Sequence, residues 1–370
     1  YPPFPLPFIS FFAIAPAVLL VRRAAQDQDP RPAFRWGWWY GLAANGLVLY
    51  WMIVALWHFT PFSALGYLAT IAVLGLFTGS LFWFVARLRL TAPAVPLWVT
   101  LPVAWTALEW LIGHLGDVRF PWLGLGTSLA DAPVLVQWAD LAGARGVTLW
   151  LAWCNVAIVE AFLRTGDGRK GKGTAVARGL APVVVTIALA FGYGVWREKT
   201  LPVRELGVVG LIQPNEGFRE KWDPAREDAV VAKLLAMSER AMALARPQLV
   251  VWPEAAIPGY LFQNPAWEQA ISGLARASHT PILAGGLHAD PREPPPVLYY
   301  NAVFFFDSTG DRRSHPVYGK HYLVPIVERV PFVPVRWMRR IPGLGRWSGG
   351  FARGRDLPVY ETALGRFGVL

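Results

Sequence analysis

Two acidic residues and a lysine in the second half of the chain are of types that could carry out chemistry. Glu254 directly follows the apolar run 249–252, which is typical of a short strand, and a loop with Gly and Pro comes after it. A carboxylate at the carboxyl end of a strand is well placed to enter a cleft. Lys320 precedes the apolar residues 323–325, which indicates that its stem is held in a packed wall, and Glu328 follows. Carboxylates can move protons, so these residue types suit acid–base chemistry.

Each of these residues also has an ordinary interpretation. A single Glu after a strand is usually a solvated loop residue, and a single Lys is usually a surface charge. The function therefore depends on whether the elements around them bring them together.

The second half has the pattern of an α/β globular domain. Short β-rich runs are predicted at residues 206–212, 249–252, 282–285 and 302–307, and residues 367–370 predict one more strand. Between the first two runs, residues 224–245 have apolar side chains at helical spacing. Strands that alternate with helices indicate an α/β or α+β domain.

The first half is predicted to cross a membrane. Hydrophobic residues make up 54% of the chain and charged residues 16%, which is too apolar for an ordinary soluble protein. We predict about six transmembrane helices, at residues 5–21, 36–57, 62–85, 93–113, 147–163 and 176–196. The predicted domains are a transmembrane domain at 1–200 and an α/β domain at 201–370.

The basic residues predict the orientation of these spans. They crowd three alternate loops, whereas the other loops carry only Arg119 and Arg145. The positive-inside rule places the basic loops in the cytoplasm, so the α/β domain is expected on the extracytoplasmic side. The same bias accounts for the net charge of +10 without nucleic-acid binding. The basic loops hold Arg22, Arg23, Arg31, Arg35; Arg87, Arg89; and Arg164, Arg169, Lys170, Lys172, Arg178.

The order of several short motifs is more specific than any one of them. Trp252-Pro253-Glu254 is followed by Gly285-Gly286-Leu287, by Tyr300-Asn301, and by Lys-His-x-Leu-Val-Pro-x-x-Glu from Lys320 to Glu328. Together with the spans upstream, this order resembles the apolipoprotein N-acyltransferase family, a membrane-embedded branch of the nitrilase superfamily. Three further segments add to the resemblance: Gln213-Pro214-Asn215 with Lys221-Trp222, Phe120-Pro121-Trp122, and Phe351-Ala352-Arg353-Gly354.

The resemblance implies a fold and a reaction. The fold would be a multi-span helical membrane domain followed by an αββα nitrilase-like domain that is incomplete at its C-terminus. The reaction would move an acyl chain from a phospholipid to the N-terminal α-amine of a diacylglyceryl-cysteine lipoprotein, through a cysteine thioester. Glu254 would accept and return protons, Lys320 would stabilise the oxyanion and Glu328 would support them. No metal or diffusible cofactor is required.

The resemblance also implies the partners of the enzyme. Its substrates would be a phospholipid donor and diacylglyceryl-modified apolipoproteins, and no nucleic acid is expected. The enzyme would be a monomer in the bacterial cytoplasmic membrane. Residues 331–354, which are basic and aromatic, suit an arm on a lipid surface, with a solvated basic loop as the alternative. Residues expected to contact the acyl chains or the lipoprotein are Trp222, Trp337, Trp347 and Phe351.

The family's nucleophilic cysteine is expected just after Leu370, at the end of the strand at 367–370. The sequence has one cysteine, Cys154, inside a predicted span, where it is expected to be a small buried hydrophobe. The 370 residues as written are therefore predicted to lack the nucleophile and to be unable to form a thioester. An N-terminal piece is also expected to be missing, because the chain begins with Tyr1.

Two alternatives belong to other functional classes. A membrane-anchored amidase of the nitrilase type would act on small amides and would need a narrow pocket. A non-catalytic membrane scaffold or transporter would need no cluster of Glu and Lys in a cleft. A distance of more than about 10 Å between Glu254 and Lys320 would exclude every nitrilase-type function, whereas their convergence, with residues 367–370 ending beside them, would weaken the scaffold. The glycine-rich stretch at 166–172 is not a phosphate-binding loop, because Gly173 replaces the required Ser or Thr.

Overall fold

The computed structural model describes residues 6–57, 63–163, 172–289, 297–325, 328–329, 331–338 and 350–370. The chain divides into two compact units, Tyr1–Pro202 and Val203–Leu370. We call them the helical unit and the α/β unit.

The helical unit contains seven described α-helices and four short 3-10 turns. The turns are Pro7–Phe11, Gly116–Val118, Gly126–Leu129 and Pro133–Leu135. The helices are α1 (Ala15–Gln26), α2 (Arg31–Val48), α3 (Trp51–Leu56), α4 (Ser63–Thr91), α5 (Leu97–His114), α6 (Ala139–Leu163) and α7 (Lys172–Thr200).

Four stretches among the described residues are long and apolar enough to cross a bilayer. They are Pro7–Gln26, Ala64–Thr91, Ala139–Leu163 and Val176–Thr200, and each coincides with a predicted span. On α7, Val184, Leu189 and Phe191 are exposed. A surface of this kind is suited to lipid rather than to water.

The other two predicted spans lie on shorter or interrupted helices and are not among the four. The segment at 36–57 is divided between α2, which ends at Val48, and α3, which begins at Trp51. The segment at 93–113 lies on α5, which contains Pro102 and carries Glu109. Hydropathy alone overlooked these interruptions because it averages over a window of residues.

Glycines let α2 and α4 pack closely. A Cβ atom on Gly41 would lie 2.9 Å from Cα of Gly75, and one on Gly79 would lie 2.9 Å from the carbonyl oxygen of Phe34. Small residues at such crossings let two helix backbones approach, which is a common way to join helices in a membrane.

The α/β unit is built around a five-stranded mixed sheet, whose strands in spatial order are β1 (Val209–Leu211), β2 (Leu249–Val251), β3 (Ile282–Ala289), β4 (Tyr299–Phe306) and β5 (Tyr318–Gly319). Strands β1 to β3 are parallel, and β4 and β5 are antiparallel to their neighbours. The predicted strands and the predicted long helix are all present, with shifted ends. The elements are β1 (Val209–Leu211), α8 (Phe218–Lys221), α9 (Glu227–Ala245), β2 (Leu249–Val251), α10 (Pro265–Ser278), β3 (Ile282–Ala289), β4 (Tyr299–Phe306), β5 (Tyr318–Gly319), α11 (Val335–Met338), β6 (Val359–Thr362) and β7 (Gly365–Gly368).

The two faces of this sheet are covered differently. Successive side chains of a strand point to opposite faces, and on β4 Phe304 joins the core beneath α9 and α10 whereas Phe305 joins a second core. The second core lies beneath the β6–β7 hairpin and includes Leu249 and Tyr360. The strands are therefore buried on both sides, as in other layered α/β domains.

The last predicted strand differs from the observed one. Residues 365–368 form β7, which pairs with β6 in a separate two-stranded sheet. Gly365 has a φ of +115°, which places the hairpin turn at a residue that tolerates it. Phe367 and Val369 pack on the second core, and Leu370 is 93% exposed, beyond the strand.

Candidate active site

Strand β2 and the loop after it hold Glu254 in place. The backbone N–H of Trp252 donates to the carbonyl of Leu283 at 2.8 Å, and its indole Nε1 donates to Oγ of Ser238 at 2.8 Å. The backbone N–H of Ile257 donates to the carbonyl of Gly285 at 3.0 Å. Glu254 thus stands between two anchored residues, with its side chain 62% exposed.

Gly285 is required by the position of Glu254. A Cβ atom at Gly285 would overlap the carbonyl oxygen of Pro253 and lie 3.0 Å from Cα of Glu254. The loop therefore crosses β3 at backbone contact distance, which accounts for the first glycine of the Gly-Gly-Leu motif.

Lys320 follows β5 and is held from both sides. Its backbone N–H donates to the carbonyl of Asn301 at 2.8 Å, and its carbonyl accepts from the N–H of Gly354 at 3.1 Å. A Cβ atom on Gly354 would overlap the carbonyl oxygen of Gly319. The predicted segment from Phe351 to Gly354 therefore runs beside β5 and fixes the backbone of Lys320.

The side chains of Glu254, Lys320 and Glu328 form one cluster. Nζ of Lys320 donates to Oε1 of Glu254 at 2.8 Å and to Oε1 of Glu328 at 3.1 Å. The separation of Glu254 from Lys320 is thus far below the 10 Å that would have excluded a nitrilase-type function. We call these three residues, together with Asn301, the carboxylate–lysine cluster.

Glu328 is the buried member of the cluster. Its side chain is 11% exposed, and its Oε2 accepts from the backbone N–H of Val324 at 2.7 Å. Its own carbonyl accepts from the N–H of Phe351 at 2.9 Å. These contacts fix the position of Glu328, whose Oε1 accepts a hydrogen bond from Nζ of Lys320.

Asn301 is a site residue that the sequence analysis quoted only as part of a motif. Its side-chain Nδ2 donates to Oε1 of Glu254 at 2.5 Å and to Oε1 of Glu328 at 3.0 Å. Asn301 lies on β4 opposite Leu287 and is 6% exposed. The signal in the sequence was the position of Tyr300-Asn301 between the Glu254 and Lys320 motifs.

The cluster keeps its groups charged. Partial burial favours the neutral acid of Glu254, but Lys320 and then Asn301 outweigh it and hold the pKa of Glu254 below its ordinary value. Burial also disfavours the ammonium of Lys320, yet Glu254 and Glu328 outweigh that effect and raise the pKa of Lys320. Near neutral pH the site therefore presents a carboxylate and an ammonium.

Lys221 and Trp222 lie next to the cluster. Nζ of Lys221 donates to the backbone carbonyl of Glu254 at 3.4 Å and lies 5.3 Å from the centre of the Trp222 ring. Burial lowers the pKa of Lys221, against the opposing effect of the Glu254 charge. The Trp222 side chain is thereby placed near Glu254, and its ring is partly exposed.

The other predicted substrate contacts have different surroundings. Trp337 lies on α11 and is 69% exposed, and Phe351 is half-buried beside Glu328. Trp347 lies outside the described residues, as do the other residues of 339–349 in the predicted arm at 331–354. Among the residues that the structure describes, no group of three or more His, Cys, Asp or Glu could hold a metal ion.

Known proteins resemble both units. Residues 1–157 match the family described as the apolipoprotein N-acyltransferase N-terminal domain, and residues 208–370 match the carbon–nitrogen hydrolase family. An amidase from Nesterenkonia sp. of known structure is 17% identical, with a TM-score of 0.28 over 46% of this chain and 57% of the amidase.

Two curated relatives match almost the whole chain. The apolipoprotein N-acyltransferase of Geobacter metallireducens is 30% identical over 378 residues, which cover 99% of this chain and 69% of the relative. The apolipoprotein N-acyltransferase of Bordetella bronchiseptica is 30% identical over 389 residues, which cover 95% of this chain and 68% of the relative. The chain belongs to the apolipoprotein N-acyltransferase family, and its α/β unit is a carbon–nitrogen hydrolase domain.

Proposed function

We propose that this enzyme transfers an acyl chain from a phospholipid to the N-terminal α-amine of a diacylglyceryl-cysteine lipoprotein, through a cysteine thioester. The observation that carries this proposal is the contact of Glu254 with Lys320, supported by Glu328 and Asn301, in a chain whose described residues also include four stretches apolar enough to cross a bilayer. The names of the two curated relatives support the substrate class.

In the first half-reaction, Glu254 takes the proton of a cysteine thiol. The thiolate attacks the ester carbonyl of the phospholipid, the carbon–sulfur bond forms and the ester carbon–oxygen bond breaks. Glu254 then returns the proton to the lysophospholipid alkoxide. The lowered pKa of Glu254 keeps it ionised and ready as the base.

In the second half-reaction, the α-amine of the lipoprotein attacks the thioester carbonyl. Glu254 accepts the amine proton, the carbon–nitrogen bond forms and the carbon–sulfur bond breaks, and Glu254 returns the proton to the departing thiolate. Lys320 stays cationic through both steps and stabilises the oxyanion of each tetrahedral intermediate. Glu328 and Asn301 orient Lys320 and Glu254 and do not touch the substrate.

Cys154 is not the thiol of this scheme. It lies in α6 and is fully buried among apolar residues of the helical unit, including Leu151 and Val183. A nucleophile must instead face the carboxylate of Glu254.

A site that is exposed at the protein surface suits lipid substrates. The side chain of Glu254 is largely exposed, whereas an amidase for small amides is expected to enclose its substrate. Moving an acyl chain into water costs about 0.8 kcal/mol per CH₂ group, so a lipid-processing site gains from lying at a membrane surface. We place the enzyme in the bacterial cytoplasmic membrane with the α/β unit outside, and we assign lipid contacts to Trp222, Trp337, Trp347 and Phe351.

The test is an acyl-transfer assay with enzyme expressed from its complete gene. Purified enzyme is mixed with a phospholipid and a peptide that begins with diacylglyceryl-cysteine, and mass spectrometry follows the peptide. We expect the mass of one acyl chain to be added to the α-amine. Hydrolysis of small amides with no change in the peptide would favour the amidase, and activity on neither substrate would favour the scaffold.

A further inference from the structure

A cavity with charged side chains in its wall lies at one end of the helical unit, among residues that the acyl-transfer site does not use. Its volume is about 260 Å³, and its walls come from α1, α4, α5 and α6. Arg22, Arg89, Gln26 and Glu160 supply the polar wall, and Val21 and Leu97 supply apolar surface. We call it the Arg22–Arg89 cavity.

The cavity lies where three candidate membrane spans end. The spans Pro7–Gln26, Ala64–Thr91 and Ala139–Leu163 contribute Arg22, Arg89 and Glu160, each near its C-terminal end. Beneath the polar wall, Val21 and Leu97 belong to the apolar core of the unit. The cavity is therefore at a boundary between the membrane interior and water, and by the positive-inside rule that boundary is cytoplasmic.

Arg89 is held in position but keeps donors free. Its Nη1 donates to the carbonyl oxygens of Pro93 and Val95, at 3.2 and 2.6 Å. Among the described residues, neither Nε nor Nη2 of Arg89 has a partner, and no carboxylate neutralises the guanidinium. A guanidinium fixed through one nitrogen is prepared to bind a planar or tetrahedral anion through the others.

Arg22 forms an ion pair with Glu160, and Arg89 leaves the cavity with one net positive charge. Nη1 of Arg22 lies 2.5 Å from Oε1 of Glu160. With Arg89 added, two cations face one carboxylate in the cavity. One net positive charge matches a monoanion rather than a zwitterion.

We propose that the Arg22–Arg89 cavity binds the phosphate of an anionic phospholipid in the cytoplasmic leaflet. Basic pockets between transmembrane helices on this side of a membrane are suited to anionic head groups. The cavity is smaller than the roughly 300–1,000 Å³ of pockets that enclose a whole drug-sized ligand. It therefore accommodates a head group while the acyl chains stay in the bilayer. This site is separate from the acyl donor site of the proposed function and does not depend on it.

The test uses a lipid that cannot be consumed as an acyl donor. Diether phosphatidylglycerol has no ester, so its binding to the detergent-solubilised chain can be followed by native mass spectrometry without acyl transfer. Diether phosphatidylcholine is the zwitterionic control. We expect phosphatidylglycerol to be retained in preference to phosphatidylcholine, and equal retention of the two lipids would overturn the proposal without needing any variant.

Matched variants assign the lipid to the cavity. Arg89→Gln is expected to weaken phosphatidylglycerol binding about tenfold, because it removes a charged hydrogen-bond donor. Arg87→Gln, which removes the same charge from an exposed position on the same helix, should leave binding unchanged. Glu160→Gln should strengthen binding, which a misfolded variant would not do. Equal losses in Arg87→Gln and Arg89→Gln would contradict the proposal.

Two further measurements separate lipid from free phosphate and this site from the donor site. Inorganic phosphate should not displace the lipid at the concentrations at which the lipid binds, and full displacement by it would overturn the lipid assignment. Acyl transfer by Arg89→Gln should keep the wild-type KM for the donor phospholipid. A raised KM would place the lost lipid at the catalytic site and contradict a separate cavity.

Discussion

The helical unit and the α/β unit each contain a carboxylate paired with a cation at the same distance, in very different surroundings. Oε2 of Glu109 lies 2.8 Å from Nη1 of Arg145, and Oε1 of Glu254 lies 2.8 Å from Nζ of Lys320. The side chain of Glu109 is 11% exposed, whereas that of Glu254 is 62% exposed. The pair distance alone therefore does not assign either carboxylate to a structural or a catalytic role.

The difference is in how many hydrogen bonds each carboxylate accepts. Both oxygens of Glu109 are occupied, because it accepts from the Trp105 indole, the backbone N–H of Leu125, Arg145 and the Thr148 hydroxyl. Its role is to join α5 to α6 and to the loop after Phe120. At Glu254, both donors reach Oε1, and within the described part of the chain no donor reaches Oε2. A carboxylate with one free oxygen can accept a proton from a substrate.

The largest expected effect is on catalysis at Glu254. Glu254→Gln keeps the shape of the side chain and removes the base, so the acyl-transfer rate should fall about 10²–10⁴-fold while the unfolding temperature stays unchanged. The measurement is kcat/KM in the peptide assay with enzyme from the complete gene, next to a thermal unfolding curve. A loss smaller than about tenfold would remove Glu254 from the role of base.

Replacing Lys320 should lower the acyl-transfer rate less than replacing Glu254 does, and it should shift the pH dependence of that rate. Lys320→Met removes the oxyanion-stabilising charge, with an expected loss of about 10²-fold. Because Lys320 holds the pKa of Glu254 below its ordinary value, its removal raises that pKa. The acid limb of the kcat/KM profile should then shift to higher pH. An acid limb that stays in place would show that Lys320 does not control the ionisation of Glu254.

Replacing Glu109 should lower the stability of the fold and leave the catalytic rate unchanged. Glu109→Gln leaves buried donors and acceptors mismatched, which is expected to cost about 2 kcal/mol of stability. The folded enzyme should keep its rate per active molecule. Thermal unfolding in detergent measures the first quantity and kcat measures the second. A large fall in kcat with unchanged stability would make Glu109 a functional residue rather than a structural one.

Replacing Asn301 should cause the smallest loss of acyl-transfer rate. Asn301→Ala removes hydrogen bonds to Glu254 and Glu328, and we expect about a tenfold loss of rate, equivalent to about 1.4 kcal/mol. The acid limb should shift upward, since Asn301 also lowers the pKa of Glu254, but by less than in Lys320→Met. A rate loss with no shift of the limb would indicate a general packing defect at β4 instead of positioning.

Much of the α/β unit could be predicted from local sequence. The strand before Glu254, the long helix after β1 and the order of the motifs all depend on short-range patterns, and they are present. Asn301 was not identified as a bridge because its partners come from the loop after β2 and from Glu328, which are distant in sequence. No periodicity encodes that arrangement, since it arises from sheet register.

The helical unit was harder to predict in detail. Hydropathy found the four long apolar stretches, but it could not show the break between α2 and α3 or the role of Glu109 on α5. The partners of Glu109 lie in the loop after α5 and on α6, so only the packed structure brings them together. The end of β7 was misplaced because the turn at Gly365 was not recognised in the sequence.

We propose that the carboxylate of Glu254 starts acyl transfer through Oε2, which no donor among the described residues reaches, and intact-protein mass spectrometry follows that first step. Enzyme from the complete gene is mixed with phospholipid alone, and its mass is then followed after the diacylglyceryl-cysteine peptide is added. The wild-type enzyme should gain the mass of one acyl chain and lose it when the peptide arrives, whereas Glu254→Gln should gain none on the same timescale. Acylation of Glu254→Gln at the wild-type rate would exclude Glu254 as the base that starts acyl transfer.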